Sequence, residues 1–296
     1  PVIKYSAEVT TAQKNGSPIV ALESTIISHG LPRPKNLIVA QEVEAIVRNA
    51  GATPATIAVI DGTVCVGLDQ KQLERIATDD QIVKASVRDL ALIQAGKKSA
   101  ATTVAATAHI AYLAGVNVFA TGGLGGVHRG NSFDESADLV AMSKIAIIII
   151  SAGVKSILDV PATLERLETL SIPVLGYKTK IFPGFYLTDS GYVIEHQVNS
   201  ANEIAQIWQA RGELKTDECS VIVANPVKNQ MDLKLHEKLL TTGLALADKN
   251  KITGKEVTPF LLEHFHTNSD GESLRVNIEI IKANAQLAAE IAIALK

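Results

Sequence analysis

Side chains able to do chemistry concentrate in one stretch, T-G-G-L-G-G-V-H-R-G at 121–130, followed by S-F-D-E-S-A-D and then by S-A-G-V-K-S-I-L-D at 151–159. Four glycines (Gly122, Gly123, Gly125 and Gly126), His128, Arg129, Asp134, Glu135, Asp138 and Lys155 lie there beside two apolar runs. Glycines let the backbone turn at positive φ and approach a ligand closely. The loop follows V-N-V-F-A, which reads as a short buried strand. Open α/β sheets place their sites beyond the carboxyl ends of such strands.

Lys155 comes four residues after the strand predicted at 145–151 and reads as sitting where a strand gives way to a helix. A partly desolvated lysine near other cations loses proton affinity and becomes an amine nucleophile for a carbonyl carbon. The alternative is a solvated lysine opening a helix, against the macrodipole. Glu23 ends an apolar strand in A-L-E-S-T-I-I-S-H-G, where a carboxylate is costly unless paired or used. It reads either as an acid or as a salt-bridged or loop-capping glutamate, and His29 as a turn histidine. Lys84 and Arg88 form a basic pair, and T-T-V at 102–104 opens a helix whose amino end suits phosphate. Together they point to an anionic substrate.

Asp134 and Asp138 are four apart and on a helix would share a face. They read as capping acids or as the one or two carboxylates that suffice for a water-rich Mg²⁺ or Mn²⁺. His128-Arg129-Gly130 lacks zinc-ligand spacing and suits acid–base work or phosphate contact. G-G-L-G-G is not the dinucleotide fingerprint, no Walker lysine motif is present, and no G-x-S-x-G elbow appears.

Apolar strands alternate with amphipathic helices. The pattern predicts strands at 19–23, 56–60, 63–66, 82–85, 116–120, 145–151, 173–176 and 220–224. Helices are predicted at 34–50, 70–77, 103–114, 137–142, 162–169, 202–210, 233–246 and 273–295, with a Pro-started turn at 258–265. Asp61-Gly62 predicts a hairpin, so the sheet is mixed rather than purely parallel. The rhythm is that of a three-layer α/β/α sandwich. No repeat or linker divides the 296 residues, which predicts a single domain spanning 1–296.

Hydrophobic residues make up 47% and charged residues 20%, and the net charge is −3. That charge gives no bulk attraction to nucleic acid or to an anionic membrane, although a local phosphate pocket remains compatible with it. The longest apolar run, 145–150, is far short of the roughly 20 residues of a membrane helix. Cys65 and Cys219 form neither a disulfide framework nor a metal motif. Cys65 reads as a small buried hydrophobe, with a reactive thiol as the alternative. These features predict a cytoplasmic protein; a segment before Pro1, with its targeting, is left open.

Seven stretches carry a family likeness: 21–32, 101–107, 119–130, F-D-E-S-A-D-L at 133–139, 151–159, V-T-P-F-L-L at 257–262 and S-L-x-x-N-I opening the last helix. In this order they resemble the pseudouridine-5′-phosphate glycosidase family, also described as indigoidine synthase A-like. The resemblance implies reversible joining of uracil and ribose 5-phosphate through a C-glycosidic bond. It implies Lys155 as covalent nucleophile, Glu23 as proton donor, and Asp134 holding Mn²⁺ largely through water. Lys84, the Val104 backbone, Ser136, Ala137 and Asp138 would line the substrate site, with Thr121, His128 and Asn277 as further pocket positions. It also implies a homotrimer, for which the long apolar-striped terminal helix offers surface.

An amine suits this bond. A C–C glycosidic bond has no leaving oxygen or nitrogen to protonate, so a carboxylate pair alone is insufficient. An iminium between C1′ and Lys155 supplies the electron sink, Glu23 protonates the ring oxygen, and uracil C5 takes a proton from Asp138 or His128 through water. A Schiff-base sugar-phosphate aldolase is the rival reading, needing the lysine but no uracil pocket. The chain departs from the family pattern in a shorter loop at 128–134, in N-P-V-K-N-Q at 225–230, in the basic G-Y-K-T-K-I-F-P-G-F, and in H-F-H-T-N-S-D-G-E before the last helix. None of these removes Glu23, Lys155 or Asp134.

Overall fold

A computed structural model describes residues 2–130 and 133–296. Pro1 and the two loop residues Asn131 and Ser132, part of the shortened 128–134 segment, lie outside the described residues. The chain runs β1 (Ile3–Tyr5), α1 (Ala7–Asn15), β2 (Ile19–Leu22), α2 (Lys35–Asn49), β3 (Thr53–Ile60), β4 (Thr63–Val66), α3 (Gln70–Thr78), β5 (Val83–Ala85), α4 (Leu90–Ala95), β6 (Ala100–Thr102) and α5 (Val104–Leu113). It continues through β7 (Val118–Ala120), α6 (Ala137–Met142), β8 (Ile148–Ser151), α7 (Val160–Thr169), β9 (Val174–Tyr177), β10 (His196–Val198), α8 (Ala201–Leu214), β11 (Val221–Ala224), α9 (Leu233–Lys249), α10 (Val257–Asn268) and α11 (Glu272–Ala294).

The strands form one mixed sheet in the order β1-β4-β3-β2-β7-β8-β11-β9-β10, with β6 joined to β3 and β5 to β6. From β2 through β10 every neighbour is parallel. The antiparallel pairings are β3 with β4 and β3 with β6. The predicted hairpin is the first of these, and Asp61 and Gly62 both take the positive φ that a tight two-residue turn demands. β3 serves two neighbourhoods, since its first half pairs with β2 and its second half with β4.

The isoleucine run shows why the sheet is covered twice. Ile147 and Ile149 face one core, with helices α5, α6, α7, α9 and α10. Ile148 and Ile150 face the other, with α2, α8 and the C-terminal part of α11. All four are fully buried, each worth roughly 1.5–3 kcal/mol of apolar burial. The architecture is a mixed sheet with helices on both faces. Among the described residues no helix is long and apolar enough to cross a membrane.

Several elements differ from the sequence expectation. The turn expected at 258–265 is the full helix α10, preceded by a short 3₁₀ turn at Gly254–Glu256. The helix predicted at 162–169 begins at Val160, capped by Asp159, so Lys155 is not at a helix start as expected but in a loop, and the macrodipole argument does not apply to it. Asp134 precedes α6 and Asp138 lies in its first turn, so the two do not share a helical face. β1, α1, α4, β6 and β10 had no clear signature.

Candidate active site

Register places the site. Leu22 pairs with Ala120 and Ala120 with Ile150, so Glu23, Thr121 and Ser151 all stand at or just past the carboxyl ends of adjacent parallel strands. The Thr121 amide extends the ladder by donating to the Ile150 carbonyl at 2.9 Å. Its hydroxyl donates to a Glu23 carboxyl oxygen in a very short hydrogen bond. After Glu23 the chain enters a π-helical turn, Ile26–Gly30, a form frequent at functional sites. Ser24 roots that turn: its hydroxyl donates to the Ile57 carbonyl at 2.6 Å and accepts the Thr102 amide at 2.9 Å. Thr102 in turn bonds Thr107, tying β2 to the start of α5.

The glycine loop is glycine-rich for a reason other than turning. Gly122, Gly123, Gly125 and Gly126 all keep ordinary backbone angles; within the motif only Gly130 has positive φ. A Cβ on Gly123 would lie 2.7 Å from the Phe185 ring and 3.3 Å from Lys155 Cγ. On Gly125 it would meet Ser136 Oγ at 2.2 Å, and on Gly126 Thr163 Oγ1 at 2.5 Å. The loop is bare so that the site's own side chains can close over it.

Asp138 is the clearest product of that closeness. One of its oxygens accepts the Ala105 amide and the other the Gly125 amide, both at 3.0 Å. It thereby joins the amino end of α5 to the glycine loop. Ser136 caps α6 by accepting the Asp138 amide at 3.1 Å, while Ala137 beside it is exposed. Val104 opens α5; the amides of Ala105 and Ala106 are taken by Asp138 and by the Thr103 hydroxyl. Asn277, on α11, is buried beside Gly122, and its side-chain oxygen has no hydrogen-bond partner among the described residues.

Charge gathers around these groups. Burial lifts the Glu23 pKa above its ordinary 4.5, with Asp138 adding to the rise; the Thr121 hydrogen bond, Lys155 and Lys84 act against it. Lys84 is open to water along its length, yet crowding around its ammonium, reinforced by the like charge of Lys155, lowers its pKa. Groups crowded by protein but reached by water are the wall of a cleft. His29, bonded to Ser28 at 2.6 Å, is also pushed down by burial and by Lys84. Arg88 stays outside this cluster, its side chain 79% exposed and paired with Asp89.

His128 and Asp134 form a second group. His128 Nδ1 lies 2.9 Å from one Asp134 oxygen, and the Gly254 amide donates to the other at 3.2 Å. His128 Nε2 is 3.4 Å from the Thr258 hydroxyl, so the segment entering α10 closes over this pair. Arg129 turns the other way, donating to the Ile157 and Ser156 carbonyls, and is not placed for phosphate. Cys65 is buried, and burial raises its thiol pKa, as the hydrophobe reading expects. Phe185, Asn284 and the Ser24–Thr102–Thr107 hydroxyls also shape the site. Phe185 and Asn284 stand in segments with no chemical signature, whereas Ser24, Thr102 and Thr107 fall within the quoted motifs but are not singled out there.

Residues 8–294 match the family model described as "Indigoidine synthase A like protein". The chain belongs to the indigoidine synthase A-like family. It is 53% identical to a protein of Salinispora tropica named pseudouridine-5′-phosphate glycosidase, over 99% of this chain and 91% of that one. A Petrotoga mobilis protein of the same name is 48% identical over 99% and 96%. Among solved structures, the prealnumycin C-glycosynthase AlnA in complex with ribulose 5-phosphate superposes with a TM-score of 0.91 at 33% identity, covering 99% of this chain and 97% of that one. An indigoidine synthase A-like protein of Thermotoga maritima gives 0.90 at 34% identity, covering 99% and 96%. Family membership and the mixed three-layer fold thus agree with the sequence reading.

Proposed function

We propose that this enzyme reversibly cleaves the C-glycosidic bond of pseudouridine 5′-phosphate, giving uracil and ribose 5-phosphate through a covalent adduct on Lys155. The observation that carries this reading is the grouping of a Glu23 carboxyl of raised pKa with Lys155 and Lys84 at the carboxyl ends of parallel strands. The names of the relatives support the substrate, and the AlnA complex supports a five-carbon sugar phosphate in this fold.

In this mechanism Glu23 gives its proton to the ribose ring oxygen. The Lys155 amine forms a bond to C1′ as the C1′–O4′ bond breaks, and the ammonium so formed returns a proton to the Glu23 carboxylate, which restores the nitrogen lone pair. Uracil C5 then takes up a proton, and the nitrogen lone pair expels the uracil carbon, leaving an iminium that water hydrolyses to ribose 5-phosphate and free amine. Asp138 accepts amides on both oxygens, which suits orienting; His128, with its second nitrogen turned toward Thr258, is the better route for the C5 proton. Lys84 and the amide of Val104, the first residue of α5, suit the phosphate, since the Thr103 amide donates to the Ala85 carbonyl and brings the two together. The unpartnered Asn277 oxygen suits a uracil N–H.

A divalent ion is part of the proposal. Among the described residues no three His, Cys, Asp or Glu side chains form a metal-binding group. Asp134 already holds His128 and the Gly254 amide but keeps further lone pairs, so it fits a hard cation such as Mn²⁺ only with water completing the shell. Bound there, the ion would neutralise anionic charge. Exhaustive chelation should remove activity, and Mn²⁺ should restore it. A homotrimer in the cytoplasm completes the reading; a monomer mass by light scattering would refute the assembly.

The central test is incubation with pseudouridine 5′-phosphate, following free uracil, together with borohydride trapping of ribose 5-phosphate. One sugar phosphate should attach at Lys155. Sugar cleavage without uracil release would instead support the aldolase, and labelling elsewhere with Lys155→Ala still active would overturn the mechanism.

A further inference from the structure

The loop that carries Lys155 has two faces, held by different means. On its front, Ala152 donates to Gly122 at 2.8 Å, Leu124 to Gly153 at 3.0 Å and Lys155 to Leu124 at 3.3 Å, a short parallel clip onto the glycine loop. The Lys155 side chain passes over Gly123 toward Glu23 and Lys84. On its back, Ser156 borders a cavity of about 270 Å³ lined also by Arg129, Asp159, Gly184 and Leu187. The buried His236 of α9 lines the same cavity and places Nε2 2.7 Å from Ser156 Oγ. Arg129 completes the restraint by donating Nε to the Ile157 carbonyl at 3.2 Å and Nη2 to the Ser156 carbonyl at 3.4 Å.

We infer that His236 and Arg129 are positioning residues, which fix the nucleophile's loop from behind through Ser156 and Ile157. Beside a cavity, hydrogen bonds rather than packing resist retreat of the loop at Ser156. His236 is itself fixed: its ring lies 5.3 Å from that of Phe265 and 6.4 Å from that of Tyr186. Tyr186 adjoins Phe185, whose amide donates to the Ala152 carbonyl at 3.1 Å. The aromatic group therefore reaches both ends of the loop. Burial and the nearby Arg129 charge push the His236 pKa down to about 4, so its bond to Ser156 is one between neutral partners near pH 7. A displacement of about 1 Å in a reacting group can cost as much as 10²-fold in rate, so a restraint this close to the amine matters.

The inference rests on Lys155 being the nucleophile, yet the position of its amine can be measured apart from turnover. In the full chain, the rate of reductive methylation of Lys155 is compared by mass spectrometry with that of exposed Lys180. Ser156→Ala and His236→Phe should each move the Lys155 rate toward that of Lys180 by about 10-fold, leaving Lys180 unchanged. The double variant should be no worse than either single one, and His236→Gln, which keeps an N–H near the Nε2 position, should restore much of the native rate. With pseudouridine 5′-phosphate, kcat should fall in the same variants while KM holds. A native Lys155 labelling rate in Ser156→Ala, or additive effects in the double variant, would overturn the positioning role. Failure of native protein to trap ribose 5-phosphate would instead overturn the catalytic reading, and the labelling comparison would still decide the loop restraint. If His236→Phe does not fold, Ser156→Ala alone decides it.

Discussion

Glu23 at the end of β2 and Asp138 at the start of α6 face one cleft, and their surroundings differ in kind. Among the described residues Glu23 has one side-chain donor, Thr121, and it backs onto an apolar wall that includes Leu22, Ile27, Leu31, Val39 and Val43. Asp138 accepts two backbone amides, one from α5 and one from the glycine loop. A carboxyl short of donors and starved of water holds its proton to higher pH and can give it away. One saturated with amides serves as a rivet between two segments. Placement alone gives the first the surroundings that suit a proton donor and the second those of a fastener.

The contrast breaks most directly at Glu23. Glu23→Gln keeps shape and hydrogen bonding but has no proton to give, so turnover should fall by roughly 10²-fold or more while substrate still binds. Steady-state kinetics with equilibrium binding would check it, and a near-native kcat would pass the acid's role to His128.

Asp138→Asn should register chiefly in stability. An amide side chain has one acceptor oxygen for two amides and turns an N–H toward the other. A buried group left unsatisfied costs about 1–3 kcal/mol, so thermal unfolding should come several degrees lower. An unchanged Tm would mean that Asp138 is no rivet.

The smallest effect is a stability gain, and its sign follows from the raised pKa of Glu23. The folded protein holds that proton above the ordinary value of 4.5, so folding stability falls as pH rises from there through the raised pKa. Glu23→Gln should therefore melt higher than the parent at neutral pH, with the gap closing as pH falls toward 4.5. A gap that persists or widens in acid would show that Glu23 is not penalised by burial.

The buried parallel strands were legible because their isoleucine, valine and leucine runs admit few other fates: β2, β7, β8, β9 and β11 all fall within predicted spans or within a residue of them. β6 is Ala-Ala-Thr, without the branched bulk that marks a strand, and β10 is an edge strand with two exposed polar residues, His196 and Gln197. α1 buries only Val9 and Ala12, too little for a helical stripe to show. In the site, the spacing of chemical residues singled out Glu23, Lys155, Lys84 and Asp138, which the fold brings together. It could not show that Arg129 turns from the cleft, that His128 and Asp134 pair, or that Phe185 covers Gly123, because these depend on contacts between distant segments.

The last helix adds a timing rule. Asn277 of α11 stands beside Gly122, and Asn284 donates to the Thr121 carbonyl at 2.7 Å while accepting from Asn225. Thr121 is also the partner of Glu23, near the other end of the chain. During synthesis, then, the chain must emerge at least through Asn284 before Glu23 and its backing are complete. An unfinished or C-terminally clipped chain carries Glu23 and Lys155 without their shared frame. If Glu23 and Lys155 act as proposed, such a product should show no turnover, rather than the partial activity of a loose, reactive amine.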